Sequence, residues 1–312
     1  MTHRRSAASP CGIRYAIGLQ AWRGGLAQGN PPWLAGAGCY AARYGVGLVG
    51  FGRGGVTVAS ATAIRVGTRY FLATAGHALE GLEHDEDLHI VPPMAVRDEW
   101  LPFVARRMTT DRGPGRADLG WIELQDEVAE AAGLEFLDLG RLQREGERLG
   151  WERTRSDRAM GGDPAIYFVH GVPSQLASQR RGRRLHLRAL GYTTLGATAV
   201  APGTRVANAR DLRLEYDARS LSRRRCGLRH LPDAHGMSGG GVWRVGQAGR
   251  PRLVALVRAW HPGERELRGV RIHRWLGVLR QDFPELGTTL DPLLERDGTR
   301  GFRKGETTCN DG

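Results

Sequence analysis

A chain whose apolar residues arrive in short β-branched runs, closed by Gly, Pro, Asn or Asp, is constrained to build sheets. From Val46 onward this sequence is written that way. VTVASATAIRV (56–66) and RYFLATAGHAL (69–79) flank the turn Gly67-Thr68, and LHIVPP (88–93) and LGWIEL (119–124) follow in the same style. A polar, Gly-rich stretch, REGERLGWERTRSDRAMGGD (144–163), then separates this group from a second one. Strand-like runs resume at AIYFVHGVP, LHLRALGYTT, DLRLEYDA, GGGVWRV and PRLVALVRAW. Trp275, Leu276, Leu279 and Phe283 recur at the spacing of one amphipathic helix, which Pro284 closes. Many short strands in two groups, with few helices, predict two β-barrels rather than βαβ units. The expected organisation is an N-terminal extension, partly irregular, over residues 1–44. A first barrel over 45–150 and a second barrel with its helix over 151–286 follow, then a tail over 287–312.

The segment Gly45-Val46-Gly47-Leu48-Val49-Gly50 spells GxGxxG. A dinucleotide site needs a preceding strand, a following helix and an acid about 20 residues on. Here a strand-like run follows, and no Asp or Glu occurs before Glu80. The pattern is set aside.

The net charge of +12 comes almost wholly from arginine, since Lys304 is the one lysine among 45 basic residues. Arg180-Arg181, Arg183-Arg184 and Arg223-Arg224-Arg225 fall in expected loops, without interleaved aromatic residues or a nucleic-acid motif. They read as solvated surface charge, with nucleic-acid binding as the alternative. Cys11, Cys39, Cys226 and Cys309 are scattered without CxxC, so neither a zinc site nor a dense disulfide framework is expected. No run approaches the roughly 18 apolar residues of a membrane span. The N-terminus makes a poor signal peptide, broken by Arg14, Gly18 and Arg23. A reducing, cytoplasmic compartment is the expectation, with secretion the alternative if the start site is misassigned.

Three segments carry the parts of a nucleophilic site. A serine hydroxyl attacks only when a base removes its proton and a third group orients that base. FLATAGHAL supplies His77, ADLGWIEL supplies Asp118, and DAHGMSGGGVW supplies Ser238 among glycines. Asp111 competes with Asp118, but TDRGPGR around it reads as loop. TAGH resembles the TAAH histidine motif of the chymotrypsin-like serine peptidases. ADLGWIEL resembles their aspartate motif, and GMSGG matches their GxSGG nucleophile motif. The chain order His, Asp, Ser is also theirs. The likeness spans roughly residues 46–286.

This resemblance implies an all-β fold of two six-stranded antiparallel Greek-key barrels packed together, with a C-terminal helix. It implies an endopeptidase acting on peptides or proteins without metal or cofactor. By position, Ser238 is the nucleophile, His77 the general base and then acid, and Asp118 the orienting acid. The backbone N–H groups of Gly236 and Ser238 form the oxyanion hole. Pro232, Asp233, His235, Arg258 and Trp260 border the substrate pocket. Met237 stands where animal members carry an Asp that binds a newly cut N-terminus, so activation by that route is not expected. Arg258 and Trp260 replace small residues and either narrow the pocket or favour small or acidic side chains.

Two rivals remain at this stage. GMSGG also satisfies the nucleophile elbow of α/β hydrolases, but that fold needs a helix after the serine and a histidine after the acid. Three glycines and a strand-like run follow Ser238 instead, and His273, the last histidine, precedes every later Asp. The second rival is a catalytically inactive peptidase-like module that binds a protein or nucleic acid.

Overall fold

The β-branched runs become strands, and their turn residues set the hairpins. The computed structural model describes residues 14–17, 32–52, 55–82, 87–92, 101–103, 105, 107–111, 117–145, 166–180, 184–195, 211–217, 231–245 and 250–296. In chain order the first half holds β1 (Arg14–Ile17), α1 (Pro32–Ala42), β2 (Gly45–Gly52), β3 (Gly55–Val66), β4 (Arg69–Ala75) and α2 (Gly76–Leu82). It continues with β5 (Asp87–Val91), β6 (Leu101–Pro102), β7 (Arg107–Asp111), β8 (Leu119–Leu124), α3 (Asp126–Ala131), β9 (Leu137–Asp138) and α4 (Leu139–Arg144). The second half holds β10 (Ile166–Gly171), a 3₁₀ turn (Ser174–Leu176), β11 (Ser178–Arg180), β12 (Arg184–His186) and β13 (Leu190–Leu195). Then come β14 (Asp211–Glu215), β15 (Gly241–Val245), β16 (Arg252–His261), β17 (Glu266–Arg271), α5 (Ile272–Asp282) and α6 (Gly287–Arg296).

One sheet has the order β6-β5-β2-β3-β4-β8-β7, with β9 parallel beside β3. The other has the order β1-β13-β10-β15-β16-β17-β14, with β1 joining parallel to β13. Leaving aside β1, β9 and β6, the two-residue strand paired antiparallel outside β5, each sheet has six antiparallel positions among the described residues. Numbered along the chain, the first sheet runs fourth-first-second-third-sixth-fifth. The second runs second-first-fourth-fifth-sixth-third. Both are one Greek-key circuit, cut open at different seams. At the second seam the Thr194 hydroxyl donates to the Glu215 carbonyl at 2.9 Å, tying β13 to β14. This is the two-barrel, chymotrypsin-like arrangement with a C-terminal helix. The GxGxxG segment lies within β2, and Gly67 takes the positive φ of 61° that a two-residue hairpin loop demands.

β3 shows why the barrels dock. Ala59, Ala61 and Ala63 point into the first barrel's core. Ser60 and Thr62, on the other face, are equally buried, because that face meets the second barrel. Between the barrels lies a shared core to which Phe71 and Trp121 contribute from one side and Phe168, Trp243 and Leu256 from the other. Ile272, Trp275, Leu276 and Leu279 of α5 close it, and the Trp275 indole donates to the Gly120 carbonyl at 3.2 Å. Two helices outside the expected pattern complete this core. α1 brings Ala37 and Ala41, followed by Tyr44, which stacks on Trp243 with centroids 5.6 Å apart. α6, within the expected tail, brings Leu290 and Leu293. Among the described residues no helix is long and apolar enough to cross a membrane.

His170 of β10 is buried in the space that Gly45 leaves by lacking a side chain. Neither ring nitrogen has a partner among the described residues. Burial pushes its pKa down from 6.5 to about 4. The unfolded chain therefore takes up a proton near 6.5 and the folded chain only near 4, so stability is full above the first value and declines towards the second. The shift corresponds to about 3 kcal/mol. Urea titrations between pH 7 and 4 are expected to show His170→Leu losing about 3 kcal/mol less over that interval than the wild type.

Candidate active site

β4 ends at Ala75, and the chain turns at Gly76 into α2, which places His77 in that helix's first turn. Asp118 waits at the entrance to β8 with φ of 54°, a left-handed conformation that Asp tolerates better than most residues. Its carbonyl accepts the Gly76 N–H at 3.1 Å, and its Oδ1 accepts the His77 backbone N–H at 2.9 Å. Its Oδ2 lies 2.9 Å from His77 Nδ1. A carboxylate only accepts, so Nδ1 carries the proton and Nε2 presents a lone pair. Ser238 Oγ lies 2.9 Å from that Nε2. The three residues picked from the sequence thus form one hydrogen-bonded chain, although 41 and 120 residues separate them.

The turn carrying Ser238 is fixed plane by plane. The His235 carbonyl accepts from the Ser174 N–H at 2.7 Å, and the Met237 carbonyl from the Gly240 N–H at 2.9 Å. In a planar trans peptide the N–H points opposite to the C=O. The same two planes therefore aim the Gly236 and Ser238 N–H groups the other way, and among the described residues neither has an acceptor. Gly236 has φ of 86° and Gly239 φ of 90°, values open to glycine at no steric cost.

The first barrel supplies most of the remaining anchors. The Ser60 N–H donates to the Ser238 carbonyl at 3.1 Å, the Ser60 hydroxyl to the Gly236 carbonyl at 2.6 Å, and the Thr62 hydroxyl to the Gly239 carbonyl at 3.1 Å. The Thr74 hydroxyl donates to the Ser60 carbonyl at 2.8 Å. None of these residues stands out in the sequence. The one signal in the sequence is the alternation Ala59-Ser60-Ala61-Thr62, which puts the two hydroxyls on the face opposite the alanines.

Met237 is fully buried in the second barrel's core, with its sulfur 3.9 Å from the Tyr216 hydroxyl. Apolar burial therefore seats this turn on the second barrel's core. The Pro232 carbonyl accepts from Tyr216 Oη at 2.8 Å. Asp233 is occupied by Gln175, which donates to its carboxylate and accepts its N–H at 2.9 Å. Arg258 sits at a bulge of β16, its guanidinium 3.0 Å from Asp211 and its carbonyl 3.5 Å from Ser238 Oγ. The Trp260 ring stands edge-on to His235 at 5.3 Å and to Tyr216 at 6.4 Å, bridging an exposed ring and a buried one.

Asp111, expected in a loop, ends β7 opposite Leu119 and lines a cavity with His273 and Arg274. Among the described residues no cluster of three or more His, Cys, Asp or Glu offers a metal site. Arg181, Arg183 and the Arg223–Arg225 run, with Cys11, Cys226 and Cys309, lie outside the described residues, as does the polar connector from residue 146 onward, its first residues Arg144 and Glu145 ending and capping α4.

The sequence matches no family model and no curated protein. Solved structures similar to this chain include the protease Anisep from Arthrobacter nicotinovorans, at 13% identity over 74% of this chain and 91% of that one, with a TM-score of 0.42. A thermostable serine protease, AL20, from an extremophilic microorganism is 14% identical over 74% and 91%, with a TM-score of 0.40. A scabies mite inactivated protease paralogue, S-I1, is 11% identical over 79% and 96%, with a TM-score of 0.46. The fold assignment stands on the strand order, and the chemistry on the geometry around Ser238.

Proposed function

We propose that this protein is a serine endopeptidase that hydrolyses peptide bonds through an acyl-enzyme intermediate. One observation carries the reading: the continuous Asp118–His77–Ser238 chain, with both side-chain links at 2.9 Å, beside two N–H groups that have no acceptor among the described residues. His77 Nε2 takes the Ser238 proton as Oγ attacks the scissile carbonyl, and Asp118 stabilises the imidazolium that forms. The negative charge passes to the carbonyl oxygen, which the Gly236 and Ser238 N–H groups receive. His77 then gives its proton to the departing amine, leaving an ester on Ser238. Water, deprotonated by His77, cleaves that ester by the same steps in reverse.

A fluorophosphonate probe tests this reading. The wild type is expected to be labelled, and Ser238→Ala and His77→Ala are expected not to be. A folded wild type that resists the probe would favour the binding-only module.

Trp260 sets the specificity expected of such an enzyme. Its ring fills space between Tyr216 and His235, so small side chains at the cleavage position are favoured. Trp260→Gly is expected to raise kcat/KM for substrates with a large apolar side chain there by about 10–100-fold, with little change for alanine. Competition assays with paired peptide substrates read this ratio.

A further inference from the structure

We infer that Ser60 is a positioning residue for the oxyanion hole, an inference that rests on the hydrolase reading above. Ser60 lies on β3 of the first barrel, whereas the hole belongs to the second, and it is 1% exposed. Its hydroxyl accepts the Val172 N–H at 2.8 Å and donates to the Gly236 carbonyl at 2.6 Å. Its backbone N–H holds the Ser238 carbonyl at 3.1 Å, and its own carbonyl accepts from Thr74, three residues before His77. One side chain and its backbone thus tie the histidine strand, the serine turn and the Val172–Ser174 segment together.

The need for such a tie follows from glycine. The hole's two donors come from the 235–236 and 237–238 peptides, and the 236–237 peptide joins them. Gly236 at φ 86° pays little to change the sign of φ, so nothing intrinsic stops the 235–236 peptide from turning its N–H away from the site. Two contacts oppose that rotation. The Ser174 N–H grips the His235 carbonyl, and the Ser60 hydroxyl grips the Gly236 carbonyl while steadying Val172, two residues before Ser174. Removing the hydroxyl leaves the Gly236 carbonyl and the Val172 N–H without their partner, which releases the grip on Gly236 and loosens the segment that carries the Ser174 grip. Because the tie crosses from one barrel to the other, the hole is correctly formed only when the barrels are docked.

The test compares hydrolysis of an activated oxoester with that of the matched thionoester. Sulfur accepts hydrogen bonds weakly, so a well-formed hole favours the oxoester. Ser60→Ala is expected to lower kcat for the oxoester by about 10–100-fold, with KM within about twofold and the oxoester-to-thionoester ratio compressed. Ser60→Cys, which keeps the volume but donates weakly, should behave alike. Ser60→Thr, which restores the hydroxyl, should recover kcat to within about threefold of wild type, the residual cost of one added methyl. An unchanged kcat, or an equal loss on both esters with the ratio preserved, would overturn the inference and leave Ser60 a packing residue. A wild type that hydrolyses neither ester would instead remove the hydrolase reading, and the inference with it.

Discussion

Ser238→Ala is expected to reduce kcat by about 10⁶, and His77→Ala by a similar factor, because each deletes the same proton-coupled attack. The double variant is expected to be no slower than either single one. Once Oγ is gone, the His77 lone pair 2.9 Å away has no proton to take. Asp118→Asn should cost about 10⁴ by a different route. An amide can donate to Nδ1, which moves the ring proton to Nε2, where Ser238 then finds a donor instead of a base. Initial rates on one peptide ester for the four proteins check the pattern. Additive losses in the double variant would mean that Ser238 and His77 act in separate steps.

Gly239→Ala is the substitution expected to damage the fold most. At φ of 90° an alanine is strained, and its Cβ would overlap the Ser60 carbonyl oxygen and the Thr74 hydroxyl and come within 2.7 Å of Thr74 Cα. Those atoms are backbone and a short side chain in the buried contact between barrels, so nothing flexible can yield. The Gly239 N–H to the Val257 carbonyl, at 2.7 Å, and the Thr62 bond to the Gly239 carbonyl would be disturbed as well. A loss above about 4 kcal/mol is expected, at the upper end for single substitutions. Gly133→Ala separates strain from crowding. It has φ of 57° with nothing within 4 Å of a new Cβ, so only the conformational cost of about 1 kcal/mol should appear. Urea denaturation of both variants reads the difference. Equal losses would show that the close contact at Gly239 is relaxed rather than tight.

His77, Asp118 and Ser238 were legible as a set in the sequence because they sit in short, self-contained motifs. TAGH closes a strand, ADLGW opens one, and GMSGG needs its glycines locally, for turn geometry. The α5 helix was legible for the same reason, since Trp275, Leu276, Leu279 and Phe283 recur at helical spacing, although Phe283 caps the helix rather than continuing it. What escaped reading is what tertiary docking alone decides. Ser60 and Thr62 look like the wet face of a strand until the second barrel covers them. α1 is built largely of Ala and Gly, which give little periodic signal, yet Ala37 and Ala41 are small because they approach the shared core closely. α6 carries Pro292 inside it, a residue that reads as a stop, while Leu290 and Leu293 pull the helix onto the core regardless. Asp118 was legible as a residue, but its left-handed turn, which aims one carboxylate at both the backbone and the ring of His77, was not.

Capture of the acyl-enzyme is the most direct measurement. The protein is mixed with an activated ester, quenched in acid within the first turnover, digested and mapped by mass spectrometry. The account predicts a burst of one leaving group per chain and one acyl group, located on the peptide containing Ser238. Steady hydrolysis with no acyl group on Ser238, or with the acyl group on another residue, would contradict it.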